Sequence, residues 1–311
     1  MSIKNIVLTG GAGFVGSHIV HRLDAEGYRV KVLTRRRDSA RHLILLPNVR
    51  VVECDLMDDD ALSEALAGAD AVINLVGILH ESNRVGFERM HAELPARIAA
   101  ACHGLGIRRL LHLSALHADA SGPSAYLRSK GVGEAAIKSS GLDWTIFRPS
   151  VIFGAGDRFL TMFSSLARLM PVIMLASPDA RFQPVWVEDV AIAVVRSLQL
   201  PETKGQIYSL CGPRVYRLRE LVAYAARCAG TRPCVIGLNS ALSWLQAGLM
   251  EWLPIKLLSR DNLLSMQVDS VCDCPPPLGL VPTPLEAIAP DYLAGDTPRA
   301  GYLRYRTTAG R

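Results

Sequence analysis

Two side chains four residues apart, Tyr126 and Lys130 in Tyr126-Leu127-Arg128-Ser129-Lys130, are where chemistry first shows in this chain. At that spacing they share one face of a helix. A phenol with a pKa near ~10 is a poor proton donor or acceptor at neutral pH. A neighbouring ammonium stabilises the phenolate and draws that pKa toward the working range, so the pair is a candidate acid/base. Lys130 also has the reach to bind ribose hydroxyls. Ser114, in His112-Leu113-Ser114-Ala115-Leu116-His117, adds a hydroxyl that could orient a carbonyl.

A second set of residues suits a ligand that carries phosphates. Thr9-Gly10-Gly11-Ala12-Gly13-Phe14-Val15-Gly16 follows a short apolar run. Glycines at 10, 13 and 16 permit a tight turn, close approach to a pyrophosphate and close packing of helix on strand. A helix starting at Phe14 and Val15 adds free N–H groups and a partial positive charge of roughly half a unit. The end of the next strand selects the dinucleotide, because an NAD site usually holds an acid there. This one runs Val32-Leu33-Thr34-Arg35-Arg36-Arg37, with no acid before Asp38. Arg35, and secondarily Arg36, suit a ribose 2′-phosphate through charge-assisted bonds, so NADP(H) is expected over NAD(H). Asp55 and Leu56, just past the third strand, are placed to flank the adenine.

These groups need a scaffold, and the apolar pattern supplies one. Strands are predicted over 3–9, 29–33, 49–54, 71–76, 109–114 and 144–147. Helices are predicted over 14–26, from the cap Asp58 to about 66, over 87–104 around Pro95, and over 126–139. Strand and helix alternating this often predict an α/β fold, a doubly wound parallel sheet covered on both faces. Beyond about Gly154 the alternation loosens. Helices at 159–170, from the cap Asp189 to 198, and at 218–229 flank strands at 185–187 and 206–210. Pro275, Pro276, Pro277, Pro282, Pro284, Pro290 and Pro298 predict little regular structure near the end. The expected organisation is a dinucleotide-binding domain over 1–155, with about 184–211 returning to it. A smaller, irregular α+β substrate or partner domain then takes 156–183 and 212–311.

Composition excludes several classes. Of 311 residues, 50% are hydrophobic and 20% charged, which excludes a disordered chain. No apolar run is long enough to span a membrane. The net charge of +5 comes without a basic stripe interleaved with aromatics, so no nucleic-acid partner is expected. No leader pattern precedes the first strand, and the seven cysteines include no Cys-x-x-Cys. Reduced thiols in a cytoplasmic protein are the expectation. No histidine and acid share a metal-ligand spacing, so no metal is expected, and His18 and His21 are read as a solvated helix face. Residues 241–258 are apolar, with Leu242, Leu245, Leu249 and Trp252 at helical spacing. They are open to three readings: a core helix, a dimer contact, or a surface for a lipid-like substrate, the inner face of a membrane or a membrane-bound partner, with Lys256 and Arg260 flanking it.

Taken together, Thr9 to Gly16, Asp55-Leu56, Asn74-Leu75-Val76-Gly77, Tyr126 to Lys130, Arg148-Pro149-Ser150 to Gly154 and Val187-Glu188-Asp189-Val190-Ala191 resemble the short-chain dehydrogenase/reductase superfamily. The resemblance is to its extended or atypical branch, which is NAD-dependent epimerase/dehydratase-like. Tyr126 to Glu134 and Ile152 to Leu160 are similar, more narrowly, to the nucleotide-binding accessory subunits of respiratory complex I (alpha-subcomplex subunit nine) and their bacterial relatives. The resemblance implies a Rossmann-type sheet and a bound nicotinamide dinucleotide, with Leu75, Val76, Gly77, Arg148 and Pro149 joining its site. It implies Tyr126 as acid/base, Lys130 as its tuner and ribose anchor, and Ser114 as the carbonyl's hydrogen-bond partner. One departure stands out. Active members place a Ser or Thr one or two residues past an initial Ser, where this chain has Ala115 and Leu116. Loss of such a donor costs on the order of 100-fold in rate. The resemblance therefore implies an NADP(H)-dependent oxidoreductase or epimerase acting on a carbonyl or alcohol, including lipid- or quinone-like ones. It equally admits an NADPH-holding accessory or assembly protein of an NADH:quinone oxidoreductase, or a redox-sensing regulator.

Overall fold

The computed structural model describes residues 3–81, 86–252 and 258–294. In chain order it begins β1 (Asn5–Thr9), α1 (Phe14–Ala25), β2 (Arg29–Thr34), β3 (Val49–Glu53), α2 (Asp59–Leu66) and β4 (Ala71–Asn74). There follow α3 (Leu94–Gly104), β5 (Arg109–Leu113), α4 (Ala125–Lys138), β6 (Asp143–Pro149), β7 (Ile152–Phe153), α5 (Phe159–Leu169) and β8 (Val172–Leu175). Next come β9 (Arg181–Phe182), β10 (Val185–Trp186), α6 (Val187–Gln199), β11 (Gln206–Leu210), β12 (Tyr216–Arg217) and α7 (Leu218–Cys228). The last elements are β13 (Cys234–Gly237), α8 (Ser240–Glu251), α9 (Arg260–Ser265) and α10 (Leu285–Leu293).

The chain divides into two compact units. The first comprises Met1–Pro149, Val187–Leu210 and Cys274–Leu280. Its seven strands form one parallel sheet in the order β11-β6-β5-β4-β1-β2-β3. This is the doubly wound, Rossmann-type arrangement, and its order reverses beside β1, so the carboxyl ends of β1 and β4 border a crevice. Strands buried on both faces read as continuous apolar runs, which is why β4 and β5 are buried at every position. On one face Leu62, Leu66, Leu94, Ile98 and Ile137 pack on Leu110 and Ile146. On the other, α1 and α6 pack together, and His18 Nδ1 meets Glu188 Oε1 at 2.6 Å. Helix α6 starts two residues before Asp189, which therefore sits in its first turn instead of capping it.

The helix expected over 87–104 does absorb Pro95, and it does so by widening, with helical backbone at Phe87, Glu93 and Leu94. A π-helical turn, Glu88–Glu93, precedes α3, so Pro95 falls in the first turn of α3. Pro95 lacks the N–H that would reach back into that turn, and the wider π turn takes up the missing bond. Helix α4 then lies against that turn, because Gly133 has no Cβ. One built there would enter the van der Waals envelope of the His91 carbonyl oxygen. Arg148 of β6 fastens the same helix with a two-pronged pair to the buried Glu134 carboxylate, at 2.8 and 2.6 Å.

The second unit comprises Ser150–Trp186, Cys211–Asp273 and Val281–Arg311. Its core gathers Phe153, Leu160 and Phe163 with Leu221, Val222 and Leu285. The Tyr292 hydroxyl bonds Asp157 Oδ2 at 2.5 Å across that core. Helix α8 buries only Ser243 and Ala247, so the core-helix reading of residues 241–258 fails over the part described. Residues 253–257, Lys256 among them, lie outside the described residues. Cys54, Cys102, Cys211, Cys228 and Cys234 are free, whereas Cys272 and Cys274 are disulfide-bonded, against the expectation of reduced thiols throughout. One intervening residue keeps those two sulfurs within reach. Among the described residues no helix is long and apolar enough to cross a membrane.

Candidate active site

The glycine turn sits between β1 and α1. Gly10 takes φ +75, a left-handed conformation that glycine adopts without a steric penalty. A Cβ at Gly16 would collide with the Gly10 carbonyl, so α1 can start this close to the strand only with glycine there. Gly13 N–H donates to the Gly10 carbonyl at 3.1 Å and closes the turn. No side chain caps α1, and no acid lies in its first turn. The N–H groups at Phe14 and Val15 thus keep their positive end for an external anion, and the turn fits a pyrophosphate.

Arg35 and Arg36 follow β2 and are exposed, and neither guanidinium has an ion-pair or hydrogen-bond partner among the described residues. Their backbone is nevertheless fixed. The Arg36 carbonyl accepts from the hydroxyls of Thr34 and Ser39, at 3.1 and 2.7 Å. His42 Nε2 lies 2.8 Å from Ser17 Oγ on α1, which ties this segment to the glycine turn. Asp55 is exposed, and its carboxylate accepts from Met57 N–H, while Leu56 packs partly into the core. Leu75 and Val76 continue β4, and a Cβ at Gly10 would sit 3.0 Å from their backbone. Gly77 comes next, and there a Cβ would lie 3.4 Å from Lys130 Nζ. Gly10, the ends of β1 and β4, and the Lys130 amine therefore form one continuous edge.

Arg148 is placed differently from the remainder of the expected dinucleotide set. Its guanidinium is held by Glu134 and by the Ala118 carbonyl at 3.1 Å, while the Pro149 carbonyl accepts from Leu116 N–H at 3.0 Å. These two residues shape the loop after β5.

Tyr126 is half-buried, edge-on to the rings of His91 and Phe87 at 5.4 and 5.8 Å. Burial pushes its phenol up to about 12, the reverse of the lowering expected from Lys130. Lys130 is itself buried and its Nζ donates to the Leu113 carbonyl at 3.2 Å. Burial pulls this amine down to about 8, with Glu134 opposing. Ser114 is buried, and its Oγ has no hydrogen-bond partner among the described residues. Ala115 and Leu116 beyond it are buried too, so neither offers a replacement donor.

Two imidazoles that the sequence did not single out complete the site. His91 Nε2 accepts from Ile78 N–H at 3.0 Å, which assigns the proton to Nδ1 and directs it at Ser129 Oγ, 3.1 Å away. Ser129 in turn donates to the Tyr126 carbonyl. Burial, reinforced by Lys130, takes His91 down to about 2, so this imidazole is neutral. On β5, His112 Nδ1 faces Asn74 Nδ2 at 3.1 Å. Asn74 Oδ1 already accepts from Thr9 Oγ1 and Val76 N–H, so its amide donates and His112 carries its proton on Nε2. That buried Nε2 has no partner among the described residues. Burial, then Lys130 and His91, also hold His112 well below its ordinary range.

The Lys130 shift makes a testable statement about stability. Folded, Lys130 releases its proton near 8; unfolded, near its ordinary 10.5. The unfolded chain therefore binds more protons in that window, and stability contributed by this group rises with pH across it. The stability of a Lys130→Met variant relative to the parent should therefore be about 3 kcal/mol more favourable at pH 7 than at pH 10.5. Urea unfolding of both proteins at pH 7, 9 and 10.5 measures it, with other ionisations cancelling in the difference. A pH-independent difference would refute the buried-ammonium account.

Comparison with known proteins bears on the family and the fold. The profile of the NAD dependent epimerase/dehydratase family matches residues 6–211. Among curated proteins, the chain is 34% identical over 232 residues to the Mus musculus NADH dehydrogenase (ubiquinone) 1 alpha subcomplex subunit 9, mitochondrial, covering 72% of this chain and 61% of that one. It thus spans about three fifths of the length of that relative. It is also 31% identical over 233 residues to the ceramide reductase of Caulobacter vibrioides, covering 75% of this chain and 73% of the reductase. Among solved structures, the Bordetella bronchiseptica enzyme WbmH in complex with NAD+ superimposes with a TM-score of 0.70 at 19% identity, over 94% of this chain and 97% of that one. At that identity the likeness is one of fold.

Proposed function

The chain belongs to the NAD-dependent epimerase/dehydratase family, and from that premise we propose that it is an NADP(H)-dependent reductase of a carbonyl in a lipid-like substrate. The observation that carries this reading is the buried Lys130 amine beside Gly77, which joins the acid/base face of α4 to the strand ends bearing the glycine turn. The likeness to a ceramide reductase supports the substrate class. The run Arg35-Arg36-Arg37 at the end of β2, with no acid before Asp38, supports the 2′-phosphate.

Each residue has a physical role in this reading. The glycine turn and the first N–H groups of α1, at Phe14 and Val15, hold the pyrophosphate. Arg35 and Arg36 take the 2′-phosphate, Asp55 and Leu56 flank the adenine, and Leu75 to Gly77 line the nicotinamide half. When bound, the dinucleotide supplies a hydride for the carbonyl carbon. Tyr126 delivers a proton to the carbonyl oxygen, and the uncommitted Ser114 hydroxyl donates to that same oxygen. Lys130 binds ribose hydroxyls and, as an ammonium, favours the phenolate left behind. The phenol's elevated starting pKa makes this assistance necessary. The proposed setting is cytoplasmic, near a membrane that supplies the substrate.

Arg35→Ala combined with Arg36→Ala tests the cofactor choice. A charge-assisted contact is worth roughly 1.5–3 kcal/mol, so NADPH affinity should fall about ten- to a hundredfold with NADH affinity unchanged. Equal affinity of the parent for both would refute the assignment. A second reading is favoured by Ala115 and Leu116, which leave one donor fewer near the carbonyl, and by the likeness to complex I subunits. In that reading the chain holds NADPH as an accessory or assembly protein. Denaturing the purified protein and identifying the released nucleotide separates the two. NADPH that resists exchange favours the accessory role, and NADPH consumption driven by a long-chain ketone favours the reductase.

A further inference from the structure

Two uncharged stretches, 169–178 and 233–250, lie side by side in the second unit. In the parallel pair of β8 and β13, Val172 stands opposite Cys234 and Met174 opposite Ile236. All four face outward, while Ile173, Leu175 and Val235 turn toward the core. Gln246 Nε2 donates to the Met174 carbonyl at 2.9 Å and seats α8 beside this ribbon. The inner side of α8 is Ser243 and Ala247. Its outer side is Leu242, Leu245, Leu249 and, just past its end, Trp252, at i, i+3, i+7 and i+10. Leu245 is 60% exposed, Leu249 66% and Trp252 89%. A soluble monomer rarely leaves a contiguous apolar face of this extent to water.

The charges bounding the face indicate what covers it. Arg168 donates only to the Leu293 carbonyl, and the Arg232 guanidinium has no partner among the described residues. The two bounding acids are both taken: Asp179 by Arg217 and Arg219, and Glu251 by Arg260 at 3.0 Å. Among the described residues that flank these two stretches in sequence, two cations thus stand without a carboxylate and neither acid stands without a cation. A second copy seated on the same face would bring like charges together. We propose that this face docks on an anionic membrane surface, with α8 in the headgroup layer and its Leu and Trp side chains in the acyl boundary.

The test uses the full chain and two vesicle compositions, one of phosphatidylglycerol with phosphatidylethanolamine and one of phosphatidylcholine alone. Neither nucleotide nor substrate is present, so the outcome is separate from the reductase reading. The parent should cosediment with the anionic vesicles and much less with the neutral ones. Leu245→Glu combined with Leu249→Glu replaces exposed side chains, and should lower partitioning about tenfold or more at an unchanged melting temperature. If that variant fails to fold, quenching of parent tryptophan emission by brominated phosphatidylglycerol decides, since Trp244 on α8 and Trp252 just past its end are both exposed. A parent that stays in the supernatant with anionic vesicles, or a folded variant that binds as well as the parent, overturns the proposal. A parent that sediments as a dimer in free solution, and becomes monomeric with the same substitutions, assigns the face to contact between copies instead.

Discussion

Replacing Tyr126 by Phe should reduce carbonyl reduction by about a thousandfold while nucleotide affinity stays unchanged. Proton transfer by a positioned side chain contributes roughly 10²–10⁴ in rate, and this substitution removes that proton alone. The ring stays, and with it the edge contacts to His91 and Phe87. Neither Arg35 and Arg36 nor the glycine turn is touched. Steady-state NADPH oxidation with a long-chain ketone, alongside nucleotide titration by fluorescence, checks both halves. A Tyr126→Phe protein that retains its turnover would move the proton transfer elsewhere, with His117 the next residue to test.

The other large effect is expected at Gly13. Its backbone lies at φ −79 and ψ 177, extended geometry open to any L-residue. A Cβ there meets only the Gly10 carbonyl oxygen, at 3.2 Å. Gly13→Val should therefore fold, yet set two methyl groups where the pyrophosphate approaches the turn. We expect nucleotide affinity to fall by about a hundredfold or more, equivalent to roughly 3 kcal/mol, with a melting temperature close to the parent's. Gly16→Val is the contrasting control, since its side chain would strike the turn itself and lower stability. Unchanged affinity in a folded Gly13→Val protein would remove the phosphates from this turn.

Much of this was legible before any coordinates. Fully buried parallel strands leave dense apolar runs, so the sheet and its helices could be read from periodicity nearly to the residue; the 206–210 strand has the bounds of β11. The glycine turn and the Tyr126–Lys130 face are local patterns, and local patterns survive in a linear sequence. Other features depend on burial, which a sequence does not display. Proximity to an ammonium predicts a lowered phenol pKa, but desolvation outweighs it in the protein and raises Tyr126 instead. His91 reaches the site through a π turn that answers to no hydrophobic period, and His112 is recognisable only once Asn74 stands beside it. Arg148 sits in the expected motif, yet its charge is spent on Glu134, a residue with no mark in the sequence except its place on α4. The apolar period over 241–252 was plain, although which side of it faced water was not.

The order of strands also bears on how the protein can be made. Strand β6 ends at Pro149, and the neighbour that completes its hydrogen bonding, β11, does not begin until Gln206. A nascent chain that has emerged only as far as β6 has every other strand of its sheet to hand, and in addition to the permanent edge β3 it has a bare edge at β6. Fifty-six residues must still be synthesised before that edge can be closed. At ordinary translation speeds of about 5–20 residues per second, the gap lasts several seconds, long enough for an unpaired, apolar strand to meet another chain. Synthesis of the full sheet is thus a race between elongation and edge-to-edge association, with β11 as the finishing piece.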